Sequence, residues 1–235
     1  PSFITEMFIK QMLIKESPFM KPAPKKRDRR FFLQATGGIL GGVLVSASLP
    51  ISAQAKLDIS PERARETRFL GNENAAVTVS EYFSMTCGHC GNFHRNTFPE
   101  VKEKLITPGV IRFEMEPFPL DQLALQAHAL CRVLPNASYF KMVDVLLDQQ
   151  ERWVRDADPV AKLKQYAKFA GISSQDYDEI MNSRDYLEAI VELRQEAVRD
   201  HQIQSTPSFV INGEKTFSGA LSYDEFLAEL NAFGI

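Results

Sequence analysis

Val77-Thr78-Val79-Ser80-Glu81-Tyr82-Phe83-Ser84-Met85-Thr86-Cys87-Gly88-His89-Cys90 is a β-branched and aromatic run that passes within four positions into a Cys-x-x-Cys. Its first seven residues predict a strand, and alternation puts Val77, Val79, Glu81 and Phe83 on one face. Glu81 is therefore a carboxylate in an apolar row. The pattern predicts a helix from Cys87 to about Glu103. The i and i+3 spacing turns both sulfurs to one side of that helix. Cys87 then sits at the helix N-terminus, where unpaired N–H groups and the positive end of the dipole favour an anion. A thiolate there becomes the attacking or attacked sulfur, and Cys90, one turn inside, resolves the mixed disulfide. His89 lies between them, and a partly cationic imidazole beside the thiolate would stabilise the reduced form further. An exposed histidine without a role is the alternative. His94 reads as a surface or packing residue.

After the motif, residues 109–116 predict a second strand, ended by Pro117 and Pro119. Residues 121–202 turn helical. Phe140, Val143 and Leu147 keep helical spacing, as do Leu187, Ile190, Val191, Arg194 and Val198. Asp158-Pro159 starts one helix, Gly171 stops it, and Ser173 with Asp176 starts the next. Phe209-Val210-Ile211, Asn212-Gly213 and Lys215-Thr216-Phe217 then read as a hairpin with a two-residue turn. Ser222 and Glu225 form a capping box for a closing helix over residues 223–233. Before the motif, Ser60-Pro61-Glu62 opens a short helix running towards Phe69, and residues 71–74 are turn-like. Strand, helix, strand, helical block, hairpin, helix is the order of one α/β core with a helical insertion.

Residues 1–55 read as an N-terminal extension and export signal. Lys25-Lys26-Arg27-Asp28-Arg29-Arg30, an apolar stretch over residues 31–51 and Ala53-Gln54-Ala55 match the basic, apolar and cleavage regions of a signal peptide, with Met20 as its initiator. An uncleaved anchor is the alternative, weakened by Gly37, Gly38, Gly41 and Gly42 within the apolar part. Arg29-Arg30-Phe31-Phe32-Leu33-Gln34 resembles a twin-arginine export signal; a general secretory signal fits too. This segment holds 8 Lys and Arg and 3 Asp and Glu, so the rest of the chain carries 19 and 27. A net charge of about −8 argues against a nucleic-acid partner.

Only Cys87, Cys90 and Cys131 occur in 235 residues, so this is no disulfide-stapled scaffold. Zinc is the structural rival for a Cys-x-x-Cys. It needs two further ligands, and Cys131, His94, His128 and His201 supply no second close pair. Cys131 reads as a buried free cysteine packing as a small hydrophobe.

Residues 81–90, Ser205-Thr206-Pro207 before a strand, and the Asn212-Gly213 hairpin together resemble the DsbA family over residues 60–235. The resemblance implies an α/β thioredoxin fold with an inserted helical domain. The first part of the fold would span residues 56–120, the insertion 121–202 and the second part 203–235. It also implies that Cys87 is the nucleophile and Cys90 its resolving partner. Thr206-Pro207 would be the loop whose cis proline faces the disulfide and contacts the substrate chain. Glu81 would be the buried acid that assists proton transfer to the resolving sulfur, and burial, which disfavours a charged carboxylate, suits that role. Gly88-His89 departs from the Pro-His common in DsbA and resembles protein disulfide isomerase. The dipeptide tunes the potential between about −120 mV for DsbA and about −180 mV for the isomerase.

The expected function is a periplasmic dithiol oxidase that donates its disulfide to reduced or unfolded exported proteins. It would need no cofactor beyond a redox-active Cys87–Cys90 disulfide. A membrane quinone-linked oxidase partner would reoxidise the pair, as the resemblance implies. An isomerase or reductase of the same fold is the second reading. Family isomerases carry an N-terminal dimerisation domain, and about 20 residues between Ala55 and Val77 leave no room for one, which favours a monomer. An exported metal- or partner-binding module using the same thiols is the non-enzymatic alternative.

Overall fold

Strand β2 (Val77–Phe83) is the middle of a five-stranded sheet. β3 (Ile111–Pro117) runs parallel to it, with Val77 opposite Ile111 and Phe83 opposite Pro117. β4 (Ser208–Ile211) lies antiparallel on its other side, Val79 facing Ile211. β1 (Phe69–Gly71) and β5 (Lys215–Ser218) close the two edges in antiparallel register, giving the order β1-β3-β2-β4-β5. These strands belong to a computed structural model that describes residues 56–235; the export signal read over residues 1–55 lies outside the described residues. No helix among the described residues is long and apolar enough to cross a membrane.

The alternation along β2 shapes the whole molecule. Val77, Val79, Glu81 and Phe83 point into the main core, where they meet helix α2 (Gly88–Asn96), the short α3 (Phe98–Val101) and the closing α10 (Tyr223–Leu230). An aromatic cluster welds these layers: Phe93 lies 4.9 Å from Phe209, Phe98 5.1 Å from Phe113, and Phe209 5.4 Å from Phe226. Each fully buried ring of this kind stabilises the fold by roughly 1.5–3 kcal/mol relative to exposure. The other face, with Tyr82, Phe118 and Val210, packs on Ala197 of the long helix α9 (Arg184–His201) and on Ile203.

Between β3 and β4 the chain is helical: α4 (Gln122–Arg132), α5 (Asn136–Asp148), α6 (Gln150–Val154), α7 (Pro159–Phe169), α8 (Ser174–Asn182) and α9. Side chains cap three of these six starts. Asp121 caps α4, Asp158 caps α7 ahead of Pro159, and Ser173 with Asp176 forms a capping box on α8. Phe140, Val143, Leu147, Leu187, Ile190 and Val191 are buried as their spacing predicts, whereas Val198 is 44% exposed. Arg194 lays its guanidinium over the Phe118 ring at 4.8 Å.

Local pattern and structure part at four places. The first helix, α1 (Pro61–Arg65), capped by Ser60, stops short of Phe69, and Phe69 instead opens an edge strand. The cause is long-range: the Arg68 guanidinium turns inward to the carbonyls of Arg132 and Leu134, and Phe69 packs beneath Arg112 of β3. The motif helix ends at Asn96 and does not run unbroken to Glu103. Pro99 cannot donate an amide to that ladder, and the Thr97 hydroxyl at the break donates to the Leu221 carbonyl. The next segment, Lys102–Ile106, forms a π turn. β3 begins two residues later than expected and includes Pro117 at its end. The β4–β5 loop has three residues, since Ile211 pairs with Lys215; Asn212 and Gly213 both take positive φ within it. The Asn212 side-chain carbonyl accepts the Thr78 amide at 2.8 Å and so ties the hairpin to β2.

Candidate active site

The site forms where β2 ends and α2 begins. Cys87 is the N-cap residue of α2, in extended conformation, and its side chain makes no capping bond. The sulfur stands beside the N-terminal amides of the helix. Both cysteines are thiols in this structure, and their environments are opposite. Cys87 is half-buried, and its acidity is raised until the thiol titrates at about 5. The largest cause is the hydrogen bond from the Cys90 thiol; the backbone amides of Cys90 and His89 add to it, against a desolvation cost. Cys90 is fully buried, with the Ser84 amide 3.5 Å from its sulfur. Burial pushes its thiol well above the ordinary range, helped by the Cys87 hydrogen bond and the charge of Glu81.

Thr206 and Pro207 face this pair from the loop before β4. Their peptide bond is cis, and the Cys87 thiol lies 3.2 Å from the Thr206 carbonyl, to which it donates. The sequence-predicted residues Cys87, Cys90, Thr206 and Pro207 thus converge. His89 is exposed, and what reaches the Cys87 sulfur from it is its backbone amide. Its side chain is exposed at the second position of the motif helix.

Glu81 projects from β2 into the core and is fully buried, as the alternation predicts. It is not a solitary acid. His94, also buried, places Nε2 2.9 Å from Glu81 Oε2, and the ring packs 4.6 Å from Phe98. Sequence reading set His94 aside, although a signal existed: it stands four residues after Cys90 on one helix face.

Gln150 is the second residue missed. From the start of α6 its side-chain amide donates to the carbonyls of Met85 and Cys87, both at 2.9 Å. A Cβ at position 91 would lie 2.5 Å from Gln150 Oε1, so Gly91 leaves the amide room to reach the motif. Thr86 adds a second strut, its hydroxyl donating to Asp121 at 2.7 Å while Asp121 caps α4. Nothing in the sequence around Gln150 marks it, because its partners are 65 and 63 residues away. The arrangement can hold one reactive thiolate at the surface, keep its partner sulfur neutral inside, and present a peptide carbonyl beside Cys87.

Comparisons with known proteins agree with this geometry. The family model described as Thioredoxin matches residues 63–232. A Rickettsia typhi protein, whose name assigns it provisionally to the protein-disulfide oxidoreductases, is 30% identical over 148 residues. That match covers 63% of this chain and 55% of the relative, so the chain spans about half the length of such curated relatives. The thiol:disulfide interchange protein DsbA of Yersinia pestis is 28% identical over 140 residues, covering 58% of this chain and 66% of its own. Among solved structures, alpha-DsbA1 of Wolbachia pipientis superposes with a TM-score of 0.64 at 25% identity, over 71% of this chain and 90% of that one. Chlamydia trachomatis DsbA shares the fold at 14% identity, with a TM-score of 0.62 over 74% and 94% of the two chains. Fold, motif placement and family match coincide: the chain belongs to the thioredoxin family, in its DsbA-like form.

Proposed function

We propose that this protein is a periplasmic dithiol–disulfide oxidase that donates the Cys87–Cys90 disulfide to reduced, newly exported proteins. The observation that carries the reading is the split between the two sulfurs, with Cys87 titrating at about 5 and Cys90 held neutral. A stabilised Cys87 thiolate favours the reduced dithiol and makes the disulfide a strong oxidant. A substrate thiolate attacks Cys87 Sγ, the Cys87–Cys90 bond breaks, and a mixed disulfide forms. A second substrate thiolate then attacks the substrate sulfur of that bond and leaves Cys87 and Cys90 reduced. The Thr206 carbonyl and Pro207 are the surface on which the substrate chain would lie, and a membrane quinone-linked oxidase would restore the disulfide. The protein acts as a monomer in this reading. Gly88-His89, the dipeptide of an isomerase, favours isomerisation as the second activity of the same site.

The test is the melting temperature of the full chain with Cys87 and Cys90 oxidised and then reduced. The expected result at pH 7 is that the reduced form melts higher. The advantage has a defined pH window. The Cys87 thiol is more acidic in the folded dithiol than when unfolded, so its contribution is fully present above about pH 9, shrinks as pH falls, and vanishes below about pH 5. An oxidised form that melts higher at pH 7 makes the pair a reductase or a structural disulfide and ends the oxidase reading.

A further inference from the structure

The sheet order fixes what stands on either side of Cys87. β2 lies between β3 and β4, and the pairs Phe83–Pro117 and Tyr82–Ser208 bring the end of β3 and the start of β4 to the end of the sheet that carries the motif. The Thr206-Pro207 loop therefore reaches Cys87 from the β4 side. Asp121, which follows β3 and accepts the Thr86 hydroxyl, reaches the motif from the β3 side. A substrate chain that lies on the cis-proline loop and crosses Cys87 runs on towards β3. Strands stand about 4.8 Å apart and an extended chain rises about 3.3 Å per residue, so a side chain within about three residues of the reacting cysteine arrives there.

A surface cavity of about 450 Å³ opens at that place. Thr86, next to the nucleophile, lines it together with Asp121, while Leu123 of α4, Val154 of α6 and Pro159 and Val160 of α7 supply apolar wall. Leu120, beside Asp121 in the chain, and Val160 are 44% and 37% exposed. Asp121 is the one charged residue of the lining. Its two oxygens accept the Thr86 hydroxyl and the Ala124 amide, each at 2.7 Å. The carboxylate is thus fixed beside the motif and keeps acceptor capacity for a further donor. Among the described residues no cation of this chain pairs with it. An apolar wall ending in one fixed acid fits a side chain with an apolar stem and a cationic tip.

We propose that this cavity is a substrate subsite that takes a lysine or arginine close to the reacting cysteine, its stem on Val154 and Val160 and its cationic head on Asp121. The proposal rests on the thiol-exchange reading above and names the substrate feature that the site selects. Gln150 ties the subsite to the nucleophile: it holds the Cys87 carbonyl from α6, the helix that also carries Val154 one turn on. Asp121 acts on the substrate's flanking residue and takes no part in the sulfur chemistry.

The test stops the exchange at its mixed disulfide, in the full chain with Cys90→Ala and glutathione bound to Cys87. Short peptides compete for Cys87, alike except for lysine, norleucine or glutamate two residues from their single cysteine, on either side in turn. The peptide thiolate attacks Cys87 Sγ and bonds to it, and glutathione leaves as a thiolate that takes up the peptide's proton. Mass spectrometry gives the populations at equilibrium, corrected for exchange of the same peptides with oxidised glutathione in solution. On one side of the cysteine, lysine should exceed norleucine by about threefold and glutamate by about tenfold, the scale of a partly exposed ion pair gained and a like-charge contact avoided. Asp121→Asn, which still caps α4, should bring lysine level with norleucine. Glu103→Gln, an equal change of charge on the π turn, should keep the wild-type ratio. Ratios within one protein cancel any common loss of thiol reactivity. If Cys90→Ala does not fold, the first mixed disulfides formed by oxidised wild type under the same competition give the ratios. Equal populations, norleucine level with lysine on Asp121-containing protein, or a lysine preference that survives Asp121→Asn overturns the subsite. A chain that prefers the lysine peptide but does not oxidise a reduced unfolded protein ends the oxidase reading and leaves the subsite standing.

Discussion

Cys87 and Cys90 carry the same functional group three residues apart, and their difference is one of placement. Cys87 caps the helix and meets solvent; Cys90 is one turn inside and meets none. Iodoacetamide reaction of the reduced protein should therefore follow Cys87 alone, with a midpoint near pH 5, while Cys90 stays unmodified until the protein unfolds. Mass spectrometry of the labelled chain across pH checks both parts. A midpoint near that of an ordinary cysteine would remove the electrostatic basis for the oxidase.

At the scale of elements, the helical block is bound to the motif through α6. Gln150 is the joint, with both amide protons on carbonyls of the loop that presents Cys87. Gln150→Ala leaves two carbonyls short of a donor and opens a cavity. A loss of about 2–4 kcal/mol in urea unfolding is expected, together with a rise in the Cys87 alkylation midpoint as the helix start loosens. A stability loss with an unmoved midpoint would show that α6 supports the fold without tuning the thiol. Capping signals at Ser60, Asp158, Ser173 and Ser222 were legible because they are local: each side chain bonds an amide three residues ahead. The Gln150 bonds cross more than sixty residues, and no local pattern carries such information.

At the scale of the whole molecule, His128 of α4 sits fully buried, edge-on to Phe83 at 4.9 Å. Burial, with Arg132 nearby, pushes its imidazole down to about 3. The unfolded chain takes up that proton below about pH 6.5 while the folded one resists, so stability falls as pH drops from about 6.5 to 3. A His128→Leu variant should become progressively more stable relative to wild type over that window, on the order of 5 kcal/mol at its end. Glu116, pushed up to about 7 by burial, works in the opposite direction in both proteins and cancels from the difference. Urea unfolding at stepped pH checks this, and a pH-independent difference would contradict it. By itself, the sequence determined the thiol pair, the strand-to-helix junction that activates one sulfur, the capped helices and the apolar row containing Glu81, because each depends on neighbours within a few residues. Only the tertiary structure decided that His94 pairs with Glu81, that Gln150 holds the motif loop, that Phe69 joins a sheet edge and that the Thr206 carbonyl faces Cys87. Those contacts join residues 13 to 119 positions apart or strands paired across the chain. Burial and sheet register, which set them, exist only once the chain has closed on itself.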